Sequence, residues 1–506
     1  MSPSNRRDFL KRAGLIGGTA LGVSGCSAPP VPLENGDAVS VTGRVTAPDG
    51  GVADVPVTDG VTVTRTDADG RFRFTASARR PFVYLSVPAG YRLPTNEGGL
   101  VRGYHPLDPD DGTAVEVSFS LRPLDRDDTR HAFTFLADPQ ARTKVEMSEF
   151  RQTTIPDVNE TVQTLGDRPV FGVGGGDLVF DDLSLLSEYE AAVQSTGLPF
   201  VQVVGNHDLN FEASADPGSA ATFRDYFGPT YYSFDRGAVH YVVLDDVYWP
   251  GNDGFGDDTD GYLGHLDAAQ LHWLQQDLAL VEDGRPVIVF AHIPPLSTMY
   301  NRRDEARPSP RNMIVNREAL YDLLAPFDAH VVAGHIHENE HRFDGGPHEH
   351  VVGTACGAWW TGPICYDGTP RGYAVYEIND DSVRWRYKST GRNADHQMRL
   401  TVTDDNRLLA NVWDADPAWT ITWWEDGIQK GEMTPTRGLD PLARSLYAGD
   451  TQPDKYDWVE PQPTDHLFTA PYNPDADRIR VEATDRFDRT YAAPLNTESG
   501  SPHPGG

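Results

Sequence analysis

The stretch "HAFTFLADPQ" (131–140) decides how this chain reads. It opens on a short, mostly apolar and aromatic run, of the length expected for a strand buried on both faces. The run stops at Asp138, Pro139 and Gln140, and a proline cannot extend a strand ladder. Similar runs recur in "PVFGVGG" (169–175), "PFVQVVG" (199–205), "HYVVLDD" (240–246), "PVIVFAH" (286–292) and "AHVVAGH" (329–335). Helical patterns lie between some of them. In "DAAQLHWLQQDLALVED" (267–283), Leu271, Leu274, Leu278 and Val281 share one face, and Asp267 is placed as the N-cap. Strands alternating with helices imply a layered α/β domain.

Each chemically competent side chain stands just past one of these runs. Asp138 follows "FTFLA", Asp177 follows "VFGVGGG", and Asn206, His207 and Asp208 follow "VQVVG". His292 ends "PVIVFAH", and His335 and His337 lie in "GHIH" (334–337). Strand ends are where open α/β sheets build their sites. Glycines at 174–176, 205 and 334 permit the sharp turns that a crowded ionic site needs. Carboxylates, imidazoles and an amide oxygen together suit manganese, iron or zinc better than calcium. Two aspartates neutralise part of the charge of two dications, and Asp177 is the natural bridge between them. Such a pair, about 4 Å apart, acidifies a bound water and clamps a phosphoryl oxygen. Taken singly the motifs are weak, since Asn-His-Asp also suits a plain turn. Their order along successive strands carries the signal.

Composition narrows the partners. Asp and Glu number 75 against 43 Lys and Arg, a formal net charge of −32. That excludes a nucleic-acid scaffold, which requires a basic surface. Lysine occurs only at 11, 144, 388, 430 and 455, so the acid excess resembles that of proteins from salt-loving organisms; a GC-rich genome also favours arginine. Residues 1–25 read as a targeting segment rather than as fold. Arg6 and Arg7 precede an apolar stretch (13–23) too short to span a bilayer, and "VSGC" then ends at Cys26. This resembles a twin-arginine export signal with a lipoprotein box. The resemblance implies lipidation of Cys26 and a protein held at the outer face of a membrane in the cell envelope. The alternative is an ordinary signal peptide cleaved nearby.

After a linker (26–38), residues 39–125 alternate as a small all-β sandwich, and "VTVTRTDADGRFRF" (61–74) resembles a transthyretin-like module. The α/β domain spans 130–368. A β-rich domain follows over 369–490, carried by "YAVYEI", "SVRWRYK", "QMRLTV", "WTITWW" and "RIRVEA", and 491–506 read as a disordered tail. Cys356 and Cys365 are spaced so that either a bridge or two free thiols is open.

The order D-x-Q, GD, GNHD, H, GHIH, with "FGPTYYSF", "ACGAWWTGP" and "DGTPRGY" around it, resembles the calcineurin-like metallophosphoesterase superfamily. The likeness runs over roughly 39–490, to a branch with extra N- and C-terminal domains. It implies a layered β-sandwich with flanking helices, two divalent metal ions, and hydrolysis of a phosphate mono- or diester by metal-bound hydroxide. By the same resemblance one ion would take Asp138, Asp177 and His337, with Gln140 where a histidine is usual. The other would take Asp177, Asn206, His292 and His335. His207 would face the phosphate, as charge stabiliser or proton donor. Gln140 departs from the pattern, because an amide binds such metals more weakly than imidazole. The partner that orients His207 has no evident place, since Phe180 stands three residues after Asp177 with Asp181 and Asp182 beyond. A rival reading is a non-catalytic envelope binding protein with a degenerate metal site.

Weaker signals surround the set. Arg302, Arg303, Arg307 and Arg311 in "YNRRDEARPSPR" (300–311) could grip an anionic substrate or form a solvated loop with Asp304 and Glu305. Trp359 and Trp360 could stack on a base or sugar, or be buried between domains. The acidic loop 250–261 lacks the calcium-binding helix-loop-helix spacing and reads as a solvated loop.

Overall fold

In the central part of the chain two sheets face each other. In the first, Phe200–Val203, Val170–Gly175 and Arg130–Leu136 run parallel. Gly372–Asn379 joins the far side of Arg130–Leu136 antiparallel, and Ser382–Ser389 completes the hairpin. The second sheet holds Tyr232–Arg236, Val239–Val243, Pro286–Phe290, Asp328–Ala333, His348–Val351 and Glu340–Arg342, with the middle four strands parallel. The computed structural model describes residues 38–107, 114–251, 261–343 and 346–495. Residues 1–25, expected to be an export signal, Cys26 and most of the acidic loop 250–261 lie outside the described residues.

The apolar runs are strands because both faces of each are covered. Phe133, Phe135, Val173, Val203, Tyr241, Ile288, Phe290 and Val332 fill the space between the sheets. Phe133 stacks on Tyr376 at 4.4 Å and meets Phe290 edge-on at 5.2 Å. Each such pair contributes about 0.5–1.5 kcal/mol beyond its buried area. Helices Lys144–Thr164 and Leu186–Gln194 cover one outer face, while Ala268–Leu278 and Arg317–Leu324 cover the other. Asp267 caps its helix by accepting from the Gln270 amide at 2.6 Å. Trp273, Leu274 and Leu278 point inward there, with Leu271 at the margin and Val281 beyond the last turn.

Two segments belong elsewhere than the sequence suggests. "YAVYEI" and "SVRWRYK", expected in a separate domain from 369, complete the first central sheet. The physical reason is the open edge of Arg130–Leu136, whose unpaired amides and carbonyls need a partner, together with the core space that Tyr376 and Trp385 fill. The hairpin is also tied to a flanking helix. Lys388 Nζ contacts both Asp157 oxygens at 2.7 and 2.8 Å, and Tyr373 Oη donates to the same carboxylate at 2.6 Å. The second difference concerns the tail, expected to be disordered from 491. Thr490–Pro494 pairs with Ile479–Thr484 and buries Tyr491.

Beyond 398 two four-stranded sheets form a sandwich around Leu408, Ile421, Phe468 and Val481. At the other end of the chain, Ala38–Ala47 pairs with Arg71–Ser77 and Ala114–Ser120. Val41, Val45, Phe72 and Phe74 turn inward at strand period two. This N-terminal sandwich is bonded to the centre. Gln276 bridges Val61 and Val63, and the Arg236 guanidinium donates to the Tyr91 carbonyl at 2.8 Å.

Candidate metal centre

The site lies past the carboxyl ends of the parallel strands. Leu136 leads to Asp138, Gly175 to Asp177, Val203 to Asn206 and His207, Phe290 to His292, and Ala333 to His335 and His337. Turning so many side chains into one space strains the backbone. Asp138, Gln140, Asp177, His335 and His337 all have positive φ, between 40° and 69°. Non-glycine residues adopt that region at a cost, and such strain gathers at functional sites. Two glycines make room. A Cβ on Gly205 would sit 1.9 Å from the Asp177 amide, and one on Gly334 would sit 2.3 Å from Asp138 Oδ2.

The tautomers of three histidines follow from what their outer nitrogens touch. His292 Nδ1 donates to the Gly175 carbonyl at 3.0 Å, His335 Nε2 to the Arg311 carbonyl at 2.9 Å, and His337 Nδ1 to the Gly357 carbonyl at 2.7 Å. A carbonyl only accepts, so each opposite nitrogen of the neutral ring carries a lone pair directed inward. There His292 Nε2 lies 3.2 Å from His335 Nδ1, 3.1 Å from Asn206 Oδ1 and 3.3 Å from Asp177 Oδ1. His337 Nε2 lies 3.6 Å from Asp138 Oδ1. With the rings neutral, their lone pairs converge on anionic oxygens, an arrangement that a cation relieves and that without one draws a proton onto His292. Ligand atoms of Asp177, His292 and His335 all lie within 4.8 Å of one another.

Electrostatics reflect the same crowding. Burial, with Asp177 nearby, pushes Asp138 up to about 8 despite the opposing pull of His292. Burial would also raise Asp177, but His292 and His207 hold it below the usual carboxylate range. His292 is pushed up to about 10 because Asp177 outweighs its burial. Burial drives His335 down to about 3 and His337 down to about 4.

Around the centre, further groups fix the loops. Asp208 accepts from the amides of Gly205, Leu178 and Val179, binding the "GGGD" and "GNHD" turns together. Asp246, at the end of "HYVVLDD", accepts from His292 N at 3.1 Å and Ile293 N at 2.9 Å. Gln140 is inside the site. Its amide nitrogen donates to Asp177 Oδ2 at 2.9 Å, while its oxygen faces Cys356 Sγ at 3.8 Å. Cys356 and Cys365 are both buried and free.

His207 stands at the mouth. Its amide donates to Asp177 Oδ1 at 2.8 Å, its ring stacks on Phe180 at 4.3 Å, and its Nδ1 meets Asp181 Oδ1 at 2.6 Å. Asp181 is therefore the orienting carboxylate that the sequence left unplaced. The signal was the acid run after Asp177, displaced by one residue because Phe180 turns under the imidazole.

The arginine-rich loop does not gather at the centre. Arg302 is buried between Glu338 and Glu340, and Arg303 joins Glu338 at 2.6 Å. Arg307 is exposed. Arg311 contributes its backbone carbonyl to His335, with its guanidinium over Tyr262. Trp360 donates to the Pro139 carbonyl at 2.9 Å and packs under Arg371. Trp359 is at the centre, 5.0 Å from the His337 ring and 5.5 Å from Trp458. Tyr456 and Trp458 arrive from the C-terminal part of the chain, with Tyr456 6.2 Å from Phe180 and 4.7 Å from Trp458. Arg142 lies over the Phe180 and Tyr456 rings. Nothing local in sequence links residue 180 to residue 458.

Fold and donor set together are those of a metal-dependent hydrolase. Models of one family match the chain in three consecutive stretches: the N terminal of calcineurin-like phosphoesterase over 39–124, calcineurin-like phosphoesterase over 132–339, and the C terminal of calcineurin-like phosphoesterase over 349–491. The chain belongs to the calcineurin-like phosphoesterases, a family of metal-dependent hydrolases acting on phosphoester bonds. No curated protein matches it. Among solved structures it is similar to a purple acid phosphatase from yellow lupin seeds, at 12% identity and TM-score 0.37, covering 64% of this chain and 56% of that one. The chain thus spans little more than half of the lupin protein's length. It is also similar to the GAP50 anchor in the inner membrane complex of Plasmodium, at 14% identity and TM-score 0.33, covering 51% of this chain and 84% of that one. A third likeness is to phosphopantetheinyl hydrolase from Mycobacterium tuberculosis, at 13% identity and TM-score 0.29, covering 45% of this chain and 91% of that one.

Proposed function

We propose that this chain is an exported phosphoesterase that cleaves a phosphate mono- or diester at a two-ion centre, and that Cys26 is lipidated to hold it at the outer face of a membrane. The observation that carries the reading is the convergence of three imidazole lone pairs on two carboxylates and an amide oxygen. Asp138, Asp177 and His337 would hold one ion; Asp177, Asn206, His292 and His335 would hold the other. Manganese, iron or zinc suits this donor set. When bound, such ions supply an acidified water and positive charge for the phosphoryl oxygens.

The chain's own residues do the rest. Asp181 accepts the Nδ1–H of His207 and, with Asp177, raises its pKa against burial, so the ring carries a second proton at Nε2 that it gives to the departing oxygen. Gln140 steadies the outer oxygen of Asp177. Phe180, Trp359, Tyr456 and Trp458 wall the side of the centre next to His207, and Arg142 brings a positive charge there. That wall favours a leaving group with a planar ring, such as an aryl or nucleoside ester.

The test is Asp177→Asn in the full chain, loaded with manganese. The variant is expected to lose metal and all cleavage of mono- and bis-aryl phosphates, and full activity would sink the two-ion reading. Separately, Cys26→Ser is expected to release the protein from membranes.

A further inference from the structure

Four histidines gather away from the phosphoesterase centre, toward the opposite end of the second sheet. His330 lies on Asp328–Ala333, His341 on Glu340–Arg342, and His348 and His350 on His348–Val351. Register makes the group. His330 pairs with His348, His341 pairs with His350, and a spacing of two puts His348 and His350 on one face of their strand. All four rings turn toward the first sheet and contact Trp385. The residue between them, Glu349, faces the other way, where Tyr321 and Arg342 take its carboxylate.

One nitrogen each from His330, His348 and His350 lie within 4.8 Å of one another. His330 Nδ1 is 2.9 Å from His350 Nε2. A tetrahedral ion with bonds of about 2.0–2.1 Å spaces its nitrogens about 3.3 Å apart, so this pair needs to open by only a few tenths of an ångström. The rings are also held in place. Asp414 accepts from His341 Nε2 at 3.0 Å, and His341 Nδ1 meets His348 Nε2 at 3.2 Å. A carboxylate that orients one imidazole, which orients the next, is the outer support common around metal-ligating histidines. The Nδ1 atom of His350, which is 1% exposed, has no hydrogen-bond partner among the described residues. A cleft of about 810 Å³, lined in part by His330, Phe343, His348, Trp385 and Arg486, opens beside the group and supplies an entry path. Arg486, the nearest fixed positive charge, is tied to Asp416 at 2.6 Å and stacked over Phe343 and Trp385.

We propose that His330, His348 and His350 form a second transition-metal site, for one zinc-class divalent ion, independent of the catalytic pair. An all-imidazole set selects zinc, nickel or copper, and it offers no carboxylate for manganese, magnesium or calcium. The strand that carries His330 ends at Ala333, just before His335, roughly 10 Å further along the extended chain. An ion there would brace that strand, and through His341 and Asp414 it would reach the connection between the two sheets of the C-terminal sandwich. The role is structural.

The experiment uses the full chain, stripped with chelator, reloaded with cobalt and then dialysed. Metal per chain is read by mass spectrometry and by the intense visible absorption of four-coordinate cobalt. The Asp177→Ala, His292→Ala double variant, which removes the shared ligand and leaves each catalytic ion only two of its ligands, is expected to keep about one cobalt with the four-coordinate spectrum. His348→Ala and His350→Ala are each expected to hold about one ion fewer than the parent chain. Equal metal content in His348→Ala and the parent overturns the proposal. So does a double variant that holds no cobalt, and this second outcome decides even where the His348 variant fails to fold.

Discussion

Replacing Asp181 with asparagine isolates the proposed proton-donor step. The substitution keeps size, and asparagine tolerates the positive φ of 62° at this position. It removes one charge-assisted bond, His207 Nδ1 to Asp181 Oδ1 at 2.6 Å. Such bonds contribute about 1.5–3 kcal/mol. The Asp181 side chain is 46% exposed, so solvent screening lowers the expectation to about 1–2 kcal/mol. That corresponds to a loss of roughly 5- to 30-fold in kcat. The loss should depend on the leaving group. An alkyl phosphate needs a proton on the departing oxygen, whereas a nitrophenyl ester departs as a stable anion. Parallel turnover assays on both substrates, at saturating metal and with metal content checked, are expected to show the loss for the alkyl ester and little change for the nitrophenyl ester. Equal losses on both esters, or none on either, would refute the assignment of Asp181 as the group that positions a proton donor.

Other consequences follow from the same geometry. Lys388→Met leaves Asp157 buried without its cation, which costs about 3–5 kcal/mol; the donors Tyr373 and Gly391 favour the lower end. The thermal midpoint should fall by roughly 6–12 °C, and a further Asp157→Asn change should restore part of it, so a midpoint unmoved by Lys388→Met contradicts the pairing. His240 lies between Asp235 and Asp277 at 2.9 Å from each, with Arg285 on the far side of Asp235. Burial opposes its charge, but the two carboxylates push it up from the usual 6.5 to about 9. A raised folded value stabilises fully below about pH 6.5 and fades as pH climbs toward 9, a change on the order of 3 kcal/mol. Melting curves from pH 6 to 9.5 should therefore fall for the parent chain more steeply than for His240→Gln, and parallel curves would contradict this. Trp458→Ala should raise KM for aryl phosphates by about 5- to 10-fold, on a stacking contribution of about 1–1.4 kcal/mol, the low end of the usual range because the ring is half-exposed, with kcat unchanged; an unaltered KM removes Trp458 from the proposed substrate wall.

The central α/β layers were legible because burial on both faces writes itself as continuous apolar runs, and each run names its own end. Asp138, Asp177, Asn206, His292, His335 and His337 could be lined up for that reason alone: strand, turn and side chain are adjacent in the chain. The capped helix after Asp267 was legible on the same local grounds. What escaped was everything that depends on which distant surfaces meet. Gly372–Asn379 reads as a strand in any context, but only packing against Phe133 assigns it to the first sheet. Arg302 reads as a free cation in a loop until Glu338 and Glu340 close around it.

The sequence alone determined the strands, their order and the chemistry waiting at their ends, because period, burial and turn chemistry act over a few residues. Tertiary structure decided the rest. It put Asp181 on His207 through a turn in which Phe180 slides beneath the ring, turned the Gln140 amide nitrogen to Asp177, and carried Tyr456 and Trp458 to a wall shared with Phe180 and Trp359. It also placed His330 opposite His348, since register between neighbouring strands is set by how two faces pack and no local propensity encodes it.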